Sequence, residues 1–338
     1  MKKNNLLIIL LLFILVISYI LFKMFASNTG NFKEKKYLYI HTGSTYEQVL
    51  HTLQDSNIVH NIHSFESMAS TLNLSSNIHP GRYEIKQGMG NFTIVQMLKK
   101  GQQSIVKLVI KKLRTKNDII RKLSSQLEPD SAQWNRLFTD ADFLQQNHID
   151  SNQIQTLIMP NTYEFYWNTS AQKIINKLIA YQHKFWNENR LTQLQKLNLT
   201  QSQVITIASI VEEETNKNDE KPNIASVYIN RYRIGMNLGA DPTVKFAVGD
   251  FKLKRILKIH TQTLSPYNTY RLVGLPPGPI CTPSESSIDA VLNATDTKYL
   301  FFCAKEDFSG YHNFANNYTE HLINAKKYQN ALNNRAIK

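Results

Sequence analysis

Three consecutive carboxylates, Glu212, Glu213 and Glu214, close the run Val204-Ile205-Thr206-Ile207-Ala208-Ser209-Ile210-Val211. A carboxyl set against apolar surface is partly desolvated, which disfavours its charged form and raises its pKa. It can then hold a proton near neutral pH and deliver it as a general acid. Which glutamate is so placed depends on helical phase. With successive residues about 100° apart, Val204, Ile207, Ala208 and Val211 share one face, and Glu213 points directly away from it. Glu212 and Glu214 fall on the two flanks, about 160° apart. They cannot both flank one glycosidic bond, as a two-carboxylate hydrolase requires. Either a second carboxylate comes from elsewhere in the chain, or the chemistry uses one. A run of three glutamates is also what a solvated helix end looks like, so the triplet alone does not separate catalysis from solubility.

Other chemistries find less support. The two cysteines, Cys281 and Cys303, lack the spacing of a zinc site. They suit either a disulfide in an oxidising compartment or two buried free thiols. His60 and His63 stand three apart, but nothing nearby completes a metal site. No metal and no cofactor is expected. The net charge is +13, from 39 Lys and Arg against 26 Asp and Glu. That balance favours polyanionic partners such as an anionic membrane surface or an acidic polymer. No basic-aromatic module of a nucleic-acid-binding family is present, so nucleic acid is not expected as a partner.

The elements around the carboxylate helix read as follows. Lys2 and Lys3 precede an apolar run from Leu6 to Phe22, broken only by Ser18 and Tyr19. With Met24, Phe25 and Ala26 the run reaches the roughly 20 residues that a membrane-spanning helix needs. It exceeds the core of a signal peptide, and no clear small-x-small cleavage site follows. An uncleaved anchor is therefore expected at 6–26, after a cytoplasmic stub at 1–5, with the globular part outside. A polar linker covers 27–36. Strands are expected at 37–40, 82–86 and 105–110, the second entered through the Pro80-Gly81 turn. Helices are expected at 46–55, capped by Thr45, then at 62–72, 92–100, 115–127, 171–189 and 201–215. Gly101 stops the helix before it, and Pro160-Asn161-Thr162-Tyr163 breaks the helical pattern.

Several ordered pieces resemble the YceG-like family of endolytic murein transglycosylases. Ile207 to Thr215 is similar to its "ASIVEKET" signature. Ala225-Ser226-Val227-Tyr228-Ile229-Asn230-Arg231 with Gly235-Met236 resembles the next helix and turn, and Asp241-Pro242-Thr243-Val244 matches "DPTV". Ser265 to Tyr270 matches "SPYNTY", and Gly274 to Ile280 matches "GLPPGPI". Tyr299 to Phe302 and His312-Asn313-Phe314 resemble the closing strand and its "HxF" element. Pro80-Gly81-Arg82-Tyr83 resembles a motif of the family's LysM-like subdomain. Four departures stand out. Met159-Pro160-Asn161-Thr162-Tyr163 has Asn161 where the family often has Asp. Gly239-Ala240 replaces a Gln followed by Ser or Thr. Lys111-Lys112-Leu113 replaces a "P-E-G" turn, and Glu213 stands where the family usually has Lys.

The resemblance implies an α+β fold: a LysM-like subdomain at 37–111, a helical connection at 112–152 and a catalytic domain at 153–338. It carries the catalytic glutamate to Glu214. It implies cleavage of the MurNAc–GlcNAc β-1,4 bond within glycan strands, with one carboxylate acting as acid and then as base. The MurNAc 6-hydroxyl attacks intramolecularly and leaves a 1,6-anhydro end, which terminates or releases a nascent strand. The expected substrate-binding residues are Glu212, Asn230, Arg231, Asp241, Tyr267, Asn268 and Tyr270, although Asn and Asp beside Pro are also common turn residues. The expected partners are peptidoglycan glycan strands, the cytoplasmic membrane through a single span, and cell-wall synthases. Two other readings remain: a non-catalytic peptidoglycan-binding scaffold, and a hydrolase pairing Glu214 with Asp241.

Overall fold

The structure, a computed structural model, describes residues 2–335. Met1, in the expected stub, and residues 336–338, at the end of the expected catalytic domain, lie outside them. The chain forms two compact units with mixed helix and strand. The first runs up to Leu108 and regains Gln126–Pro129 and Glu164–Ser170. The second comprises Val109–Ser125, Asp130–Tyr163 and the chain from Ala171 onward.

The first unit contains α1 (Lys2–Phe25), β1 (Lys35–Ile40), α2 (Tyr46–Asp55), α3 (Ile62–Thr71), β2 (Gly81–Lys86) and α4 (Asn91–Lys99). Strands β1 and β2 pair antiparallel with Leu38 opposite Tyr83. Their inward side chains, Leu38, Ile40, Tyr83 and Ile85, bury against Val49, Leu53, Phe65, Ile94 and Leu98 from the helices. The α2 cap is reciprocal: Gln48 N donates to Thr45 Oγ1 and Thr45 N donates to Gln48 Oε1, which satisfies two amides the helix leaves free. On α1, every side chain from Leu7 to Phe22 is exposed. Among the described residues no helix is long and apolar enough to cross a membrane.

The stretch expected as a free polar linker is stitched to the unit instead. Asn28 is buried; its Nδ2 donates to Asn91 Oδ1 at 2.7 Å and to Asn61 O at 2.9 Å. Its backbone N donates to Met89 O, and Thr29 bridges to Val59. Gly90 makes this approach possible, because a Cβ there would lie 2.9 Å from the carbonyl oxygens of Phe25 and Ala26. A polar composition was therefore a poor guide: short amide side chains paired with backbone can line a buried seam as well as a linker.

The remaining elements are β3 (Ile105–Ile110), α5 (Lys116–Ser124), α6 (Ser131–Leu137), α7 (Ala141–Gln146), a 3₁₀ turn (Ile154–Leu157), β4 (Asn161–Tyr166), α8 (Ala171–Phe185), α9 (Glu188–Leu197), α10 (Gln201–Glu214), α11 (Lys221–Arg233), α12 (Asp241–Val248), α13 (Lys258–Thr261), α14 (Glu285–Leu292), β5 (Phe301–Ala304), β6 (His312–Ala315) and α15 (Tyr318–Asn334). β3 pairs with β4, and β5 with β6. The expected helical connection is not a separate piece. Most of it belongs to the second unit, where Trp134, Phe138 and Ile154 are wholly buried, α6 packs on α8, and the 3₁₀ turn packs on α8 and α10. The helix expected at 171–189 ends at Phe185, and α9 follows it; Arg190 on α9 grips Asp289 on α14 with two parallel bonds of 2.7 and 2.9 Å.

Helix α10 is the axis of the second unit, packed by α11, α12 and α14. Its burial is not confined to one face: every residue from Val204 to Val211 is buried. The two hydroxyls in that stretch are answered internally. Thr206 Oγ1 donates to Ser202 O at 2.8 Å, while Ser209 Oγ donates to Thr206 O at 2.7 Å and accepts from Ile280 N at 3.0 Å. Both cysteines are free thiols.

Candidate active site

A capping box at Thr200 and Gln203 starts α10, and the buried stretch carries its last turn out to the edge of the core. Thr215 is already extended, at φ −145°, so the three glutamates occupy one helical turn and face three different directions.

Glu212 is turned to the start of α14. It accepts from Ser284 Oγ at 2.6 Å, Ser287 Oγ at 2.5 Å and Lys221 Nζ at 3.3 Å. Burial alone would raise this carboxyl, but the Ser284, Ser287 and Lys221 contacts outweigh it and hold it below the usual range. Glu213 does not face open water as its phase predicts. The segment before α5 covers it, and it pairs with Lys112 Nζ and Arg114 Nη2, each at 3.0 Å. Among the described residues one side chain donates to Glu214: Tyr228 Oη, at 2.5 Å from Oε1. Burial is the largest influence on it and pushes its pKa up to about 7; the Tyr228 bond works in the opposite direction, and the charge of Asp241 adds to the rise.

Glu214 opens on a cavity of about 260 Å³ that it shares with Tyr228, Arg231, Asp241, Tyr270 and His312. Asp241 begins α12, and its Oδ1 accepts from Tyr270 Oη at 2.6 Å. Arg231 is fixed by its bonds to Leu300 O at 2.6 Å and Leu238 O at 2.5 Å. Gly239 also lines the cavity; it has φ +57°, and a Cβ there would come within 3.3 Å of Arg231 Nη1.

Of the expected substrate-binding residues, three meet Glu214 here: Arg231, Asp241 and Tyr270. Four do not. Glu212 is engaged at α14, as above. Asn230 Nδ2 donates to Thr297 O at 2.9 Å and Tyr299 O at 3.0 Å, holding the approach to β5. Asn268 is wholly buried and organises its turn, donating to Thr261 O and Thr263 O and accepting from Tyr270 N. Tyr267 packs its ring 4.5 Å from that of Phe246. Their polar ends or rings are taken by backbone and core, which motif membership does not reveal. Tyr228 and His312 line the cavity but were not singled out in the sequence. The signal for Tyr228 was its position in the helix after the signature, and for His312 its place in the "HxF" element.

Residues 38–327 match the family described as YceG-like. The chain belongs to the YceG-like family. A Bacillus subtilis protein named endolytic murein transglycosylase is 27% identical over 310 residues, covering 87% of this chain and 85% of that one. A Streptococcus pneumoniae protein of the same name is 31% identical over 182 residues; the match covers 53% of this chain and 33% of that longer protein. A solved YceG-like protein from Listeria monocytogenes aligns with TM-score 0.56 at 28% identity, over 86% of this chain and 99% of that one.

Two departures from the YceG-like pattern meet in space. Lys112 lies in the segment that departs from the expected "P-E-G" turn, and Glu213 takes the place of the Lys expected from the signature. They pair at 3.0 Å.

Proposed function

We propose that this chain is a membrane-anchored lytic transglycosylase that cuts the MurNAc–GlcNAc β-1,4 bond within peptidoglycan strands and leaves 1,6-anhydro-MurNAc ends. The observation that carries this reading is the Glu214 carboxyl: walled by protein, raised to about 7 by burial, and open to a cavity. Such a group is protonated in a large fraction of molecules near neutral pH and returns to carboxylate after giving its proton away. In the one-carboxylate form of the reaction Glu214 donates to the glycosidic oxygen, then accepts the proton of the MurNAc 6-hydroxyl as that oxygen closes on C1. A tethered nucleophile has a large effective concentration, so water need not be activated and a second carboxylate is dispensable.

A hydrolytic reading pairs Glu214 with Asp241, and what favours it is that both line the cavity. The bond from Tyr270 to Asp241 supports a positioning role for Asp241 instead. Digestion of purified glycan strands, read by mass spectrometry, separates the readings. Anhydro ends support the transglycosylase, reducing ends support the hydrolase, and intact strands support a peptidoglycan-binding scaffold.

The anchor reading rests on α1. Its apolar side chains from Leu7 to Phe22 are exposed on all sides, an arrangement favourable in lipid and costly in water. The strand–helix–helix–strand order of β1, α2, α3 and β2 supports a LysM-like, glycan-binding reading of the first unit. An anchor of this kind would hold the enzyme beside wall synthases, where cleavage would release nascent strands. Recovery of the full chain in the soluble fraction after alkaline extraction of membranes would overturn the anchor.

A further inference from the structure

The hairpin of β5 and β6 brings a second proton-transfer group to the cavity. His312, opposite Ala304 in the hairpin register, is clamped by one buried carboxylate. Glu220, just before α11, accepts the His312 backbone N at 2.6 Å through Oε1 and is 2.8 Å from Nδ1 through Oε2. A carboxylate accepts, so Nδ1 carries the proton and Nε2 of the neutral ring is left as a base. Among the described residues Nε2 has no hydrogen-bond partner, while His312 lines the same cavity as Glu214. The ring is steadied by Phe302, edge-on at 5.2 Å. Glu220 also accepts from Thr215 Oγ1 at 3.4 Å, so the carboxylate that orients His312 is tied to the residue following Glu214.

We infer that His312, oriented by Glu220, is the base that takes the proton from the attacking hydroxyl, while Glu214 serves as the acid. This rests on the reaction proposed above and reassigns one proton transfer in it. Glu214 gives its proton to the glycosidic oxygen as the C1–O bond breaks. The MurNAc O6 forms its bond to C1, and the O6 proton passes to His312 Nε2. The resulting imidazolium lies against the Glu220 carboxylate; it returns its proton to water, and Glu214 is reprotonated from water. A merely structural Glu220–His312 pair would instead hold the hairpin and leave turnover to Glu214.

The test uses the full chain in detergent on purified glycan strands, with anhydro ends as the readout and a thermal melt for every variant. For His312→Gln, kcat is expected to fall about 100-fold, within the range for positioned acid–base groups, with KM changed less than threefold. Glu220→Gln is expected to lower kcat at least about tenfold, because its amide nitrogen opposes the Nδ1 proton. In His312→Ala, added imidazole is expected to restore at least about tenfold of the lost kcat. A His312→Gln enzyme with kcat within threefold of wild type overturns the role. So does a loss confined to KM, or a loss in a normally melting His312→Ala protein that imidazole does not restore. Absence of anhydro ends from the wild-type chain would overturn the reaction itself, and the role with it.

Discussion

Replacing Glu214 with Gln tests the central feature of the site through stability as well as activity. The substitution keeps the shape of the side chain and the oxygen that accepts from Tyr228 Oη, and removes only the ability to ionise. A carboxyl raised from 4.5 to about 7 prefers its proton in the folded state by about 3 kcal/mol, at about 1.4 kcal/mol per pKa unit. Glu214 keeps part of its surface open to the cavity, so the expected effect is about 1–3 kcal/mol. The sign follows from linkage. Below about pH 4.5 the group is protonated whether the chain is folded or not, and it costs nothing. Between 4.5 and 7 the unfolded chain releases a proton that the folded chain retains, so the wild type loses stability as pH rises, and above 7 the loss is complete. The Gln variant has no such dependence. Urea unfolding of both proteins at pH 5 and pH 8 is expected to show little difference at the lower pH and a more stable variant at the higher one. Cleavage by the variant is expected to fall at least about 100-fold. Equal stability at pH 8, or a gain of the same size at both pH values, would refute burial as the reason Glu214 holds its proton.

The other expectations concern its neighbours. Tyr228→Phe removes the bond that opposes the rise in the Glu214 pKa, so the alkaline limb of the pH–rate profile should move upward; a downward or absent shift contradicts this. Glu212→Ala leaves Lys221, whose side chain is 5% exposed, without its carboxylate and should cost about 3 kcal/mol in unfolding measurements. The variant should still form anhydro ends, and a complete loss of cleavage in a folded protein would mean that Glu212 acts in the chemistry. Lys112→Glu and Glu213→Lys should each destabilise, and the double exchange should recover about 0.5–1 kcal/mol relative to the sum of the two. Strict additivity would show that the pair is incidental.

Much of the first unit was legible because its signals are local. Thr45 and Gln48 form the capping box that their types suggest, and Leu38, Ile40, Tyr83 and Ile85 turn inward from strands that are mostly near the expected places. The failures share a cause. Asn28 looked like linker polarity and is a buried seam, because its partners Asn61 and Asn91 lie far along the chain. Glu213 looked solvated because helical phase gives a direction but not what covers it, and Lys112 and Arg114 arrive from roughly a hundred residues upstream. Asn230 and Asn268 read as sugar ligands by residue type, while backbone carbonyls supplied by the fold occupy their amides.

The sequence by itself determined that Glu212 and Glu214 diverge, since 3.6 residues per turn allows nothing else, and its ordered motifs pointed to the YceG-like family and to Glu214. Phase could not rank the two flanking carboxylates, because each borders the same apolar stripe. Only the tertiary structure distinguished their surroundings. Ser284, Ser287 and Lys221 close on Glu212 and keep it ionised, while burial in the walls of a cavity and the charge of Asp241 raise Glu214 against the opposing bond from Tyr228. A carboxyl's protonation depends on what desolvates it and what donates to it, and those groups come from segments that the fold alone brings within reach.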